Sequence, residues 1–241
     1  MSGHTSQGAP RDTAGGFVAI YLALAYVVAM PYFLLISDYK DATTPAEKVT
    51  SILANYQGTY AVYLLQYVFF GIALGVLVLS LFDRLREHGE LAARVATAVG
   101  LTWSVALVLS GMVFCHGMGT VVSLAHTSPQ QAAATWQAVE SVSDGLAVGT
   151  GETLGGLWML IVCWIALRGR VLSRPLCWFG VATGLVGLAS TVPALFAGAI
   201  AFGLLQIVWF AWLGITLLVR KAAANKAPMS AAGFARRLGQ A

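Results

Sequence analysis

The stretch Val148–Leu167, VGTGETLGGLWMLIVCWIAL, decides the fold: twenty residues with one carboxylate, Glu152, and no basic side chain. At 1.5 Å per residue such a helix is about 30 Å long, the hydrocarbon thickness of a bilayer. An acid inside a membrane-length run is costly, so its presence calls for a reason. Five comparable runs accompany it. Gly15–Ile36, Tyr60–Phe82 and Val95–Gly119 precede it, within a fourth run Gly145–Leu167, and Leu172–Leu195 and Gly198–Val219 follow. Together they predict an all-α, polytopic membrane helix bundle with six transmembrane helices. The first run is too long for a signal-peptide core and reads as a retained span.

Composition agrees. The 241 residues are 58% hydrophobic and 10% charged, with a mean hydropathy of +0.77. A soluble domain is nearer a quarter charged. No basic stripe with interleaved aromatics exists away from the span flanks, so nucleic acid is not a partner. Cys115, Cys163 and Cys177 form no CxxC spacing and read as packing residues.

Charge placement orients the chain. Arg11, Arg84, Arg86, Arg94, Arg168, Arg170, Arg174, Arg220, Lys221, Lys226, Arg236 and Arg237 fall on one side of the six runs, whereas only Lys40 and Lys48 fall on the other. The positive-inside rule puts both termini in the cytoplasm. Residues 1–14 are polar and read as a disordered cytoplasmic start, 15–221 as the six-helix domain, and 222–241 as a flexible basic cytoplasmic tail near anionic headgroups.

Two loops on the other side share a signature. Thr44-Pro45-Ala46-Glu47 and Ser128-Pro129-Gln130-Gln131 both show a hydroxyl N-cap, a first-turn proline and Glu or Gln at the third position. Val49, Ile52, Leu53 and Tyr56 follow the first at helical spacing, and Ala132, Trp136, Val139 and Ser143 the second. Each loop is expected to hold a short amphipathic external helix over the outer membrane face. The two boxes lie 84 positions apart, as do Gly16 and Gly100, Gly71 and Gly155, Arg84 and Arg168, and Arg86 and Arg170. That offset makes a tandem two-span repeat a candidate, against chance similarity in biased composition.

Counting from the arginine-marked ends, Glu152 lies about 24 Å up its helix, Gln206 about 21 Å and Gln66 about 27 Å. His116 lies about 33 Å up, near the outer boundary, and Tyr32 about 24 Å, followed by Ser37 and Asp38. Polar side chains thus gather in one half of the bilayer. Glu152, His116, Gln66, Gln206 and Tyr32 are the candidate ligand-binding residues of an outward-opening cavity, with Glu152 as its charge or proton site. The competing reading makes Glu152 and the glutamines interhelical hydrogen-bond glue. Pro31 and Pro193 free backbone carbonyls at the outer ends of two spans, which suits a wet outer half.

Other motifs say less. Cys115-His116-Gly117-Met118 offers soft ligands, but helix neighbours point about 100° apart and no opposing intramembrane histidine exists for a haem. No metal and no cofactor is expected. Gly149–Gly156 resembles a phosphate loop but lacks its lysine and preceding strand. Gly151-xxx-Gly155, Gly71-xxx-Gly75 and Gly180-xxx-Gly184 read instead as close helix contacts. Trp158, Trp164, Trp209 and Trp212 read as packing or lipid-facing residues, and Tyr32, Tyr60 and Tyr63 as an interface belt. No serine or cysteine nucleophile pattern, HExxH or paired-carboxylate motif is present.

GETLGGLWMLIVCWIALRGRVLSRPLCWFGVATGLVGL and the closing LLQIVWFAWLGITLLVRK resemble a bacterial family of small six-span membrane proteins grouped only as a domain of unknown function. The resemblance covers roughly Gly15–Lys221. It implies six helices and a bacterial cytoplasmic membrane, and it brings no catalytic residues. The leading expectation is a protein that binds, transports or senses a small amphipathic or cationic ligand reached from outside. A membrane enzyme on a lipid or quinone, with Glu152 and His116 as acid and base, is one alternative. An accessory subunit of a membrane complex is another. The partners expected are membrane lipids, the small ligand, and a second copy of the chain or a partner subunit.

Overall fold

The computed structural model describes residues 8–37, 39, 41–195 and 198–238. Asp38, Lys40, the Phe196-Ala197 part of the turn and the extreme termini lie outside the described residues. Those described are all-α: α1 Gly8–Pro31, α2 Pro45–Ala54, α3 Tyr56–Tyr63, α4 Phe70–Leu85, α5 Glu90–Ala125, α6 Pro129–Asp144, α7 Thr150–Gly169, α8 Arg174–Ser190 and α9 Gly198–Leu238. Three π-helical turns, Tyr32–Ile36, Leu64–Phe69 and Gly145–Gly149, link α1 to the loop, α3 to α4 and α6 to α7.

Among the described residues, five helical stretches are long and apolar enough to cross a membrane: Thr13–Pro31, Tyr56–His88, Glu90–Ala125, Pro129–Gly169 and Gly198–Val219. The run expected as a fifth span folds as α8, only 17 residues and so about 25 Å long. It stops where Thr191-Val192-Pro193 begins, because proline brings no N–H to the ladder and constrains the residue before it. Helical backbone also extends beyond the expected boundaries, starting at Gly8 and continuing to Leu238. The alanine-rich segment past Lys221 has high helix propensity.

α1 packs between α4 and α9, α7 against α5 and α8, and α8 against α9. Large apolar side chains around the bundle stay outward, among them Phe17 and Trp178 at more than 60% exposure. In water that belt would drive aggregation; in lipid it is solvated. Close approach comes from glycine. A Cβ on Gly156 would stand 2.7 Å from the Gly184 carbonyl, and one on Gly184 would stand 2.7 Å from the Gly156 carbonyl. Gly71 meets α5 at the Ser104 carbonyl, where the Ser104 hydroxyl donates to the Gly71 carbonyl at 2.7 Å. Gly180 rests on Cys163 and Trp209. Gly71 and Gly184 thus sit against a neighbouring helix backbone, as their spacing predicts, whereas Gly151 and Gly155 meet the Trp103 ring. The three cysteines are buried thiols.

The two linkers expected to hold short helices do fold as α2 and α6. α5 is 36 residues and the helical run Pro129–Gly169 is 41, about 54 and 61 Å long, so both extend well beyond a 30 Å hydrocarbon layer. α6 runs beside the last turns of α5, and Gly117 is bare where Val139 presses in. α2 packs on α6 and α5. The result is a head with its own core, separate from the bundle core: Val49, Ile52, Tyr63, Phe114, Met118, Ala132 and Trp136 are all buried in it. Tyr63 is not an interface residue; its ring stacks on Phe114 with centroids 4.3 Å apart.

Only one of the two capping boxes forms. Thr44 Oγ1 accepts from the Glu47 amide at 3.2 Å and Glu47 Oε2 accepts from the Thr44 amide at 3.0 Å. Those bonds, with one from the Thr43 amide, hold the Glu47 carboxyl below the usual glutamate range. Ser128 makes no side-chain cap bond, because its ψ of 74° differs from the 153° at Thr44 and turns the hydroxyl away from the first-turn amides. A charged network joins the head instead. Lys48 Nζ lies 2.7 Å from both Glu140 oxygens, Tyr39 donates to Glu140 at 2.6 Å, and Trp136 Nε1 donates to Tyr39 at 2.9 Å. Burial, and then the bond to Glu140, hold the Tyr39 phenol above its ordinary range, protonated as a donor must be.

Candidate functional site

Glu152 is in the first turn of α7, directly after the π turn Gly145–Gly149. Across from it, the π turn Leu64–Phe69 carries Gln66. A π turn takes one residue more than an α turn and re-aims the side chains around it. Gln66 and Tyr67 from one turn and Ala147 and Val148 from the other line the same cavity. α1 adds Tyr26, α4 Phe70, α5 Trp103, and α9 Phe202 and Gln206, enclosing about 330 Å³.

The interior is unusual in its unpaired polar atoms. Among the described residues, six buried side-chain N or O atoms have no hydrogen-bond partner, and four belong here: Gln66 Oε1, Trp103 Nε1, Glu152 Oε2 and Gln206 Nε2. Glu152 is 5% exposed and Gln206 1%. Each such atom costs about 1–3 kcal/mol if left unsatisfied, so four in one place call for an explanation. Among the described residues, no Lys, Arg or His lines the cavity to offset the Glu152 charge. Gln206 is fixed from its other end, where Tyr26 donates to Oε1 at 3.1 Å.

Tryptophans close the floor. Trp103 seats its indole on α7, against the bare backbones of Gly151 and Gly155. Trp158 stands 6.0 Å from Trp103 and 5.9 Å from Trp209, centroid to centroid, all three buried. Toward the arginine-rich end the cavity thus ends on packed indole. At the side, Met30 of α1 and Ala199 and Ile200 of α9 complete the lining, with Ile200 71% exposed. The cavity reaches the bundle surface between these two helices.

The chain matches the profile of DUF4386, a domain of unknown function, over residues 17–220. It belongs to the DUF4386 family. Searches of curated proteins and of solved structures returned no match. Family membership agrees with a multi-pass membrane protein and supplies no site residue, so in this DUF4386 chain the site rests on geometry.

Of the five candidate residues, the structure brings Glu152, Gln66 and Gln206 together. It separates the other two. Tyr32 turns toward α3, its hydroxyl 3.0 Å from Thr59 Oγ1 and its ring against bare Gly58. His116 is exposed and lies in a shallow depression with Tyr56, Tyr60 and Thr120, sharing no residue with the Glu152 cavity. Equal depth along two helices does not mean a common face. Sequence reasoning missed Tyr26, Tyr67, Phe70, Trp103 and Phe202. The available signal was the Gly151-xxx-Gly155 stripe, which seats an indole rather than a second helix backbone. Trp158 and Trp209 are packing residues as expected, and Trp164 and Trp212 are partly exposed. A larger groove of about 680 Å³ near Trp164 and Trp178 is lined by apolar and indole side chains. It lacks the chemistry for a specific polar ligand.

Proposed function

We propose that this DUF4386 protein binds a small amphipathic cation in the Glu152 cavity. It would be a multi-pass protein of a bacterial cytoplasmic membrane, with six spans, both termini inside and the head outside. α8 counts as the fifth span because it is apolar and packed between α7 and α9, and only with six crossings do all the basic residues except Lys40 and Lys48 stay on one side. The arrangement of span, intervening helix and span recurs at α1–α4 and α5–α7, in keeping with a tandem repeat. One observation carries the functional reading: a buried carboxylate without a protein counter-charge, in a cavity with three more unpaired polar atoms. The indole floor favours binding or sensing over passage through the bundle. The acid–base enzyme reading loses its pair, since His116 lies elsewhere.

Native mass spectrometry of protein released gently from bacterial membranes tests this, wild type beside Glu152→Gln. The wild type is expected to hold an extra mass of a few hundred daltons or less, consistent with the cavity's place at the small end of ligand sites, and Glu152→Gln is expected to lack it. Identical spectra from the two proteins would contradict the reading.

A further inference from the structure

We propose that the ligand of the Glu152 cavity is a protonated amine that keeps an N–H on its cationic nitrogen and carries an acceptor oxygen. This rests on the cation-binding reading above and narrows it to a chemical class. Five aromatic side chains line the cavity, Tyr26, Tyr67, Phe70, Trp103 and Phe202, and one carboxylate is its sole charge. Ring faces attract a cation through their quadrupoles, and a carboxylate fixes its position. The rings are held at angles to each other: Tyr26 meets Phe70 edge to face at 5.3 Å. An anion is excluded by the same inventory.

A box of aromatic rings alone would accept any ammonium ion, including a quaternary one. The unpaired atoms discriminate further. Glu152 Oε2 and Gln66 Oε1 are acceptors and call for a hydrogen-bond donor, which a protonated amine carries on its charged nitrogen and a quaternary nitrogen does not. Trp103 Nε1 is a donor only and needs an acceptor on the ligand. It lies beside Gly151, where even a Cβ would come to 3.3 Å, so the glycine leaves the indole N–H uncovered. The ligand therefore presents a charged donor and a neutral acceptor, joined by an apolar part that meets the rings. Entry between Met30 and Ile200 suits a molecule that partitions into lipid.

Two isomeric cations test the first half on unaltered protein. Benzyltrimethylammonium and protonated N-ethyl-N-methylbenzylamine share formula and charge, and differ in whether the nitrogen holds a proton. Titration calorimetry in detergent at neutral pH is expected to show the N–H isomer binding at least tenfold more tightly, with that preference absent in Glu152→Gln. Equal affinity, or tighter binding of the quaternary ion, overturns the N–H requirement while leaving a cation site in place. If neither ion, nor benzylamine, binds wild type at millimolar concentration, the cation site itself fails. The acceptor half is tested with 2-amino-1-phenylethanol against 2-phenylethylamine. The hydroxyl is expected to improve binding at least threefold in wild type and to give no gain in Trp103→Phe. A gain that persists in Trp103→Phe, or no gain in wild type, overturns that half.

Discussion

Gly156→Ala is expected to destabilise the bundle by about 1–3 kcal/mol, and Gly156→Leu to prevent its assembly. The reason is local and backbone-bound. An added methyl would stand 2.7 Å from the Gly184 carbonyl and 3.0 Å from the Leu188 amide. Neither is a side chain that can rotate away, so α7 and α8 would have to part along their length. Parting them also loosens Gly187, whose own Cβ position lies 3.0 Å from the Glu152 carbonyl and 2.7 Å from the Phe202 ring. The same damage therefore reaches the cavity wall. Gly149→Ala is the matched control, because nothing lies within 4 Å of its Cβ position, and its stability should change by no more than about 0.5 kcal/mol. Equilibrium unfolding in mixed micelles, followed by circular dichroism, separates the two. Equal losses at both positions would mean that glycine spacing is not what sets the helix contact.

Glu152→Gln is the second large effect, and its sign distinguishes a site from glue. If the carboxylate were a hydrogen-bond strut, its loss would weaken the fold. Here, among the described residues, Oε2 bonds nothing and no basic side chain lines the cavity. Acidic groups at the centre of a membrane helix are penalised by roughly 2.5–3.5 kcal/mol on insertion scales, and the amide removes the charge while keeping the shape. After exhaustive washing the variant should be more stable than wild type, by about 1–3 kcal/mol given a position away from the bilayer centre. Saturating benzylamine should reverse the order by stabilising wild type alone, since a ligand that binds only the folded state adds stability. A washed variant less stable than wild type would favour glue.

The sequence was most legible where physics is one-dimensional. Apolar run length marked the five long spanning candidates, and two-residue punctuation located α2 and α6. Charge kept Glu152 in view. Legibility fell wherever a result depends on how helices rotate against each other. Rise per residue put His116 and Glu152 in one half of the membrane, but whether both face one cavity depends on helix rotation, and π turns at Leu64–Phe69 and Gly145–Gly149 reset that rotation. The head was legible as two helices and not as a core, because Tyr63 and Phe114 meet only once α3 and α5 lie side by side. Ser128 had the right residues for a capping box and the wrong backbone angle. The aromatic lining was hidden for a simpler reason: in an apolar span a tryptophan that packs and one that lines a cavity are spelled alike.

The most direct measurement is a crystal structure of wild-type protein with 4-bromobenzylamine, with data collected at the bromine absorption edge. The account predicts one anomalous peak inside the ring formed by Tyr26, Phe70, Trp103 and Phe202, with the amine density within about 3 Å of a Glu152 oxygen, a charge-assisted hydrogen bond. No peak in that cavity at a saturating concentration, or a peak confined to the apolar groove at Trp164 and Trp178, would contradict it.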